Sequence, residues 1–383
     1  MRRVLELAAR IRARPEAAAD MIAAFVRRWT FPLVDSDTVI FFFWDGEPAD
    51  AVYLQHWVFG LPSRQKFRRL EGTDAFWLAL DLPLKARIEY KLEVMRRERG
   101  FWMRDPLNPL QAFDPFGSNS VCQMPGYAEP PWTQPFPDVR HGRREHFAIG
   151  SEVFGDTRDV EVYLPAEYKV GKRYPLVVCH DGRDYLRYTS IQAVLDNLIG
   201  RHEVAPLIMA FTSGVSRNEE YAANPKQARF LVEELLPAVE ARYGVEADPA
   251  SRGIMGASFG AVSSLYTAYS YPGVFGQILL ESGSFVFTDI GQHDRGPLWD
   301  PVVDFVSALR DNPARLGARL YMSCGVFESL IYYNRSLQPL LQAAGIDLRY
   351  EEAQDGHNWI NWRDRLRSGL SWLFPGHLWM MYD

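Results

Sequence analysis

The chain of 383 residues is 47% hydrophobic, enough to bury two cores without disulfide or metal staples. A formal net charge of -6 leaves no basic excess, which excludes the electrostatic footprint of a nucleic-acid binder or of a protein held on an anionic membrane. Cys122, Cys179 and Cys324 are odd in number, far apart and without a C-x-x-C pair, so they fit a reducing, cytoplasmic setting and imply no metal; no stretch approaches the roughly 18 uncharged apolar residues of a membrane span.

The start, Met1-Arg2-Arg3, carries the positive charge of a signal peptide, but Glu6, Arg10, Arg12 and Arg14 interrupt any apolar run of export length. Leu5, Ala8, Ala9, Met21, Ile22, Phe25 and Trp29 recur at helical spacing instead, which predicts a helix over 1–29 with a break near Pro15. From Val39 to about Val121 the pattern turns strand-like. Val39 to Trp44 is apolar and aromatic, and Ile88, Tyr90, Leu92 and Val94 alternate with Glu89, Lys91 and Glu93, as in a half-buried antiparallel strand. Several such runs separated by Gly, Pro and Asp predict a small all-β, immunoglobulin-like sandwich.

Glu129 to Pro137 holds four prolines, which lack the N–H donor that a ladder or a helix needs, and the domain boundary is expected there. The expected domains are 1–130, a helix plus a sandwich that covers the substrate, and 143–383, catalytic. Beyond the boundary, apolar strands at Leu176–Cys179, Leu207–Phe211, Gly253–Met255, Ile278–Leu280 and Leu320–Ser323 alternate with helical stretches at Ala228–Tyr243, Val262–Tyr269 and Ser336–Ala344. That alternation predicts an α/β domain with a mainly parallel sheet covered on both faces, whose chemistry lies at the strand C-termini.

Gly256-Ala257-Ser258-Phe259-Gly260 fits G-x-S-x-G between a short buried strand and a helix, the junction at which small neighbours let a nucleophilic serine rise above an α/β-hydrolase sheet. A base following in the order serine, acid, histidine leaves His357 and His377, since His293 comes too early. His357, in Asp355-Gly356-His357-Asn358-Trp359 after the strand-like Leu348 to Glu351, is the expected base; His377 lies at the end of the chain. Glu328 is the first carboxylate after the strand at Leu320–Ser323 and the expected orienting acid, with Asp294, Asp300 and Asp304 as competitors. Two N–H groups must meet the oxyanion. Phe259, just after the nucleophile, and Arg183, in His180-Asp181-Gly182-Arg183 after an early strand, are expected to supply them, with Gly182 letting the backbone approach and His180 bracing the loop. Trp299, Tyr332, Tyr333, Trp359 and Trp362 cluster around these loops and suit either an aromatic substrate ring or core packing.

Together with the N-terminal half, these residues resemble the enterochelin (enterobactin) esterase family, within the esterase D-like group that includes feruloyl esterases. The resemblance rests on Pro32-Leu33-Val34, Gly72-Thr73-Asp74, Asp105-Pro106-Leu107-Asn108-Pro109, Asn119-Ser120-Val121 and Met124-Pro125-Gly126-Tyr127. Further on it rests on His180-Asp181-Gly182, Arg217-Asn218-Glu219-Glu220-Tyr221, the serine turn, Glu281-Ser282-Gly283-Ser284, and Gly356-His357 followed by Trp362-Arg363. It implies a sandwich ahead of an α/β-hydrolase domain, no cofactor, and hydrolysis of the serine esters of a catecholate siderophore, iron-loaded or not. It supports Ser258, His357 and an acid at Glu328, and it points to Arg217 and Tyr221 near the substrate. A carbohydrate acyl esterase is the alternative enzyme, and a hydrolase-fold binding protein the non-enzyme one.

Overall fold

The computed structural model describes residues 1–287 and 296–377. The chain divides into two compact units, one of Met1–Ala128, Val326–Glu328 and Gln354–Gly356, the other of Glu129–Gly325, Ser329–Ala353 and His357–Asp383.

In the first unit, Pro15 opens a short turn that separates two helices, Arg2–Ala13 and Ala18–Arg28. Ten strands follow: β1 (Leu33–Asp35), β2 (Thr38–Phe43), β3 (Ala51–His56), β4 (Arg64–Lys66), β5 (Arg68–Arg69), β6 (Phe76–Asp81), β7 (Arg87–Arg96), β8 (Arg99–Met103), β9 (Gln111–Asp114) and β10 (Gly117–Gln123). They form two sheets, β1-β2-β6-β5 and β4-β3-β7-β10-β9, with β8 also on β7. The near-continuous apolar run of β2 has a simple cause: both of its faces are covered. Val39, Phe41 and Phe43 join the core between the sheets, while Ile40 and Phe42 join Val4, Leu7, Ile11 and Ile22 of the two helices. β7 alternates because one face, with Ile88, Tyr90, Leu92 and Val94, is in the core, while Glu89, Lys91 and Glu93 on the other are half-buried.

Asp105 explains the Asp-Pro-Leu-Asn-Pro loop. Its carboxylate accepts from Tyr90 Oη at 2.7 Å and from the Leu107 N–H at 2.9 Å, and Asn108 donates to Tyr90 Oη at 2.9 Å and to the Val121 carbonyl at 2.8 Å. Burial pushes this carboxyl up to about 6 although both hydrogen bonds pull the other way.

The second unit is built on an eight-stranded sheet of β11 (Arg143–Ser151), β12 (Asp156–Leu164), β13 (Leu176–Cys179), β14 (Ile208–Phe211), β15 (Arg252–Ala257), β16 (Gln277–Glu281), β17 (Arg319–Gly325) and β18 (Leu348–Ala353). Its order is β11-β12-β14-β13-β15-β16-β17-β18; β11 and β12 are antiparallel and the other neighbours pair in parallel from β14 to β18. Alternate residues serve two cores. Ile254, Ile278, Leu280 and Met322 face one with Val262, Phe305 and Leu337, while Met255, Leu279 and Tyr321 face the other with Leu366 and Leu370. Among the described residues, no helix is long and apolar enough to cross a membrane.

Candidate active site

β15 lies between β13 and β16 and ends at Ala257; the helix Phe259–Ser270 starts immediately beyond. Ser258, between them, has φ 58° and ψ -121°, a conformation that costs energy for any L side chain. The turn is this tight because its glycines admit it. A Cβ on Gly256 would lie 2.5 Å from the backbone of Gly260. Main-chain bonds then fix it: Ser258 N–H donates to the Glu281 carbonyl at 2.9 Å, and Ala261 N–H donates to the Ser258 carbonyl at 3.2 Å. The Ser258 hydroxyl is left half-buried, 3.2 Å from Ser284 Oγ.

Phe259 is the first residue of its helix, so its N–H has no acceptor within that helix and points out at the positive end of the dipole. Arg183 N–H makes a long bond, 3.3 Å, to Ser213 Oγ. Gly182 is buried with its N–H on the Thr212 carbonyl at 2.8 Å, and a Cβ there would meet Phe211 at 2.4 Å. This loop and the helix Phe259–Ser270 are held as one piece. His180 Nε2 sits 3.0 Å from Ser263 Oγ, and its Nδ1 3.0 Å from Ser264 Oγ and 3.2 Å from the Met255 carbonyl. Burial lowers its pKa to about 4 against the pull of the Met255 carbonyl, with the Arg217 charge adding to burial, so the imidazole is a neutral brace.

Arg217 grips Asp181 with Nε and Nη2, both at 2.6 Å, and keeps about a third of its side chain exposed (36%). Tyr221 differs from the expectation of a substrate contact. It is fully buried, and its hydroxyl accepts from Asp181 N–H at 3.3 Å and Gly214 N–H at 3.0 Å, so it supports the loop from beneath. Trp359, also expected at the substrate, is buried edge-on to Tyr185 and Trp362 at 5.3 and 4.7 Å. Trp362 and Tyr333 are buried as well, Trp299 lies against Phe259, and Tyr332 is exposed.

His357 follows β18 and precedes the helix Trp359–Leu373, which Asn358 caps by accepting from Asn361 N–H at 2.9 Å. Its exposed ring stands edge-on to Trp362 at 5.1 Å, and Trp362 Nε1 donates to Ser282 Oγ at 2.9 Å. Ser282 adjoins Glu281, whose carbonyl holds the Ser258 N–H. Glu328 is buried in the segment after β17. Of its competitors, Asp300 and Asp304 are exposed on the helix Asp300–Asp311, and Asp294 lies outside the described residues, as does His293. His377 is exposed near the chain end.

Two neighbours of Ser258 went unread in the sequence as such: Ser284, and Glu281, which is fully buried and accepts from Tyr185 Oη at 2.6 Å. Burial raises the Glu281 carboxyl to about 8, outweighing the Tyr185 bond and the Arg365 charge. The available signal was Glu-Ser-Gly-Ser directly after a buried strand at the C-terminal edge of the sheet.

A mainly parallel sheet with a strained serine between a central strand and its helix defines an α/β-hydrolase. Residues 151–373 match the esterase family described as "Putative esterase", and the chain belongs to that family. It is 27% identical over 274 residues to the iron(III) enterobactin esterase of Escherichia coli O6:H1, a match covering 70% of this chain and 66% of that protein's length. The crystal structure of ferric enterobactin esterase from Salmonella typhimurium superimposes with a TM-score of 0.73 at 21% identity, covering 88% of this chain and 93% of that one. A ferulic acid esterase structure gives 0.55 at 20% identity over 62% of this chain and 98% of that one. At these identities the structural likeness speaks for the fold; it bears out the α/β-hydrolase fold with its preceding all-β unit, and the enterochelin-esterase resemblance stands with the relatives found.

Proposed function

We propose that the protein hydrolyses carboxylic esters through a covalent acyl-enzyme on Ser258. The Ser258 hydroxyl attacks the ester carbonyl carbon as its proton passes to His357; the oxyanion that forms takes hydrogen bonds from the Phe259 and Arg183 N–H groups. Collapse expels the alcohol, which takes the proton back from His357, and a water molecule activated by the same imidazole releases the acid. Glu328 orients the imidazole and balances its charge. The observation that carries this reading is the turn at Ser258 between a central strand and its helix: φ 58° with ψ -121° lies outside the left-handed region in which Ser190 sits at φ 51° and ψ 32°, and such strain gathers at functional sites.

The substrate class in this proposal is a catecholate siderophore with serine ester linkages, an enterobactin-like trilactone with or without iron. Support comes from the similarity to iron(III) enterobactin esterases and from Arg217, whose partly open guanidinium beside the oxyanion loop suits an anionic substrate. The setting is cytoplasmic, in keeping with three buried cysteines outside any disulfide. A second reading, a feruloyl-type carbohydrate esterase, is favoured by the ferulic acid esterase likeness and by Phe101, Trp102, Phe113 and Phe116, aromatic residues exposed on the first unit. Hydrolysis rates of the purified protein on enterobactin, a salmochelin-type trilactone, feruloylated sugars and short p-nitrophenyl esters decide between them. Preference for the trilactones by kcat/KM is the expected result. Turnover confined to feruloyl sugars selects the second reading, and no turnover of any ester refutes both.

A further inference from the structure

The segments that carry Glu328 and lead into His357 are tied into the first unit. Phe59 N–H donates to the Phe327 carbonyl at 2.7 Å, and the Phe327 side chain is buried in the core between the two sheets, with Val326 packed on it. Arg87, the first residue of β7, donates its N–H to the Gln354 carbonyl at 2.8 Å. Its guanidinium, 2% exposed, reaches Asp355 Oδ2 through Nη1 at 3.4 Å and Glu89 Oε1 through Nη2 at 2.9 Å. Asp355 in turn accepts from Gly356 N–H on Oδ1 at 2.7 Å and from Phe327 N–H on its carbonyl at 3.1 Å, which joins the two segments. His357 is the next residue.

A buried arginine between two carboxylates is a poor source of net stability, because desolvation cancels most of the attraction and apolar residues of similar volume serve as well. It is a good source of position, since the planar fork and its partners admit one geometry. We infer that Arg87 is a positioning residue for the base. It holds Asp355, Asp355 fixes the backbone at Gly356, and the imidazole of His357 is thereby presented in one orientation, while Phe59 and Phe327 seat the segment of the acid. The first unit then contributes to cleavage of every ester, small ones included, beyond any covering of large substrates. This rests on the reading of His357 as the base.

The test uses the full chain and p-nitrophenyl butyrate, a substrate too small to need a covering domain. Arg87→Met is expected to lower kcat on the order of 10- to 100-fold with KM changed by less than about twofold, the cost of a reacting group misplaced by a fraction of an ångström to an ångström. Arg87→Lys, which keeps the charge without the fork, restores part of the loss. In a His357→Ala background the same Arg87→Met substitution changes the residual rate by less than about twofold, since nothing remains to be positioned. Asp355→Asn, nearly isosteric and still able to accept from Gly356, carries the same comparison if Arg87→Met does not fold. An undiminished kcat in both Arg87→Met and Asp355→Asn, or an equal drop with and without His357, overturns the inference. Full turnover in His357→Ala alone overturns the base reading and the inference with it, whereas an inactive His357→Ala beside unimpaired Arg87→Met and Asp355→Asn overturns only the inference.

Discussion

The turn at Ser258 and the approach to His357 are held in place by opposite means. Around Ser258 the supports within its own turn lie close in sequence: a central strand, two glycines whose backbones touch, and a helix whose first turn bonds back to the serine carbonyl. Ahead of His357, the side chain that grips Asp355 is Arg87, 268 residues earlier. A motif can encode the first arrangement in five residues. The second exists only once the chain has folded, and no local pattern announces it.

The sharpest way to break this comparison is to remove the two groups proposed to react. Ser258→Ala is expected to lower kcat on the order of a million-fold with the melting temperature nearly unchanged, and His357→Ala to fall to a similar residual rate, because the two act as one unit. Thermal melts and p-nitrophenyl ester assays on both variants check this; substantial turnover in either removes that residue from the reaction. Glu328→Gln should cost less, up to about 10⁴-fold, because the acid orients and stabilises the imidazole without entering bond formation. A Glu328→Gln enzyme as active as the parent, beside an inactive Asp304→Asn, would move the acid to the helix that follows Pro297–Trp299.

What could be read from the sequence follows the same division. The strands β13 to β17 announced themselves as short apolar runs because both faces of each are buried. β11 and β12 were not read, although they pair over nine residues. β11 is an edge strand, and Arg143, Arg144, Glu145 and His146 give it the charged look that protects an edge from pairing with other chains. Asp105 to Pro109 enters as a motif of the resemblance, and its Asp and Asn bond to Tyr90 and Val121 inside the first unit. The resemblance points to Tyr221 and residue type to Trp359, and neither reports burial. Arg87 meets Asp355 268 residues away, where spacing carries no signal, whereas Glu281 and Ser284 stand in a legible Glu-Ser-Gly-Ser motif whose partners, Tyr185 and Ser258, spacing does not name.

Glu281 sharpens the comparison from the side of stability. Its main-chain carbonyl holds the Ser258 N–H, and its carboxyl, bonded to Tyr185 Oη, is pushed by burial to about 8 from an ordinary 4.5. Below 4.5 the folded and unfolded chains both hold the proton. Between 4.5 and 8 only the folded chain does, so rising pH favours unfolding by about 1.4 kcal/mol per pH unit, and above 8 this slope vanishes. The contribution is therefore complete in acid and lost as pH climbs through 8. Glu281→Gln removes the titration, and its unfolding free energy, measured by denaturant at pH 5, 6, 7 and 8, should gain steadily on the parent. Parallel curves would mean that Glu281 is ionised throughout.

The smallest expected effect belongs to Ser284, and it tests whether the nucleophile needs any support beyond its own turn. Ser284 Oγ stands 3.2 Å from Ser258 Oγ, and its N–H donates to the Ser258 carbonyl at 3.3 Å. When Ser284 is the donor of the hydroxyl pair, the Ser258 proton stays free for the base and a lone pair of the nucleophile is fixed in direction. When Ser258 is the donor, the proton must turn away from Ser284 before it can be transferred. One neutral hydrogen bond is worth about 0.5–1.5 kcal/mol net, so Ser284→Ala should change kcat/KM by roughly 2- to 12-fold. The main-chain bond survives the substitution and keeps the turn in place. A fall in kcat/KM on p-nitrophenyl butyrate identifies Ser284 as the donor, and a rise identifies Ser258. A loss larger than that of Arg87→Met would reverse the comparison, for the nucleophile would then depend on a side chain outside its motif more heavily than the base depends on Arg87.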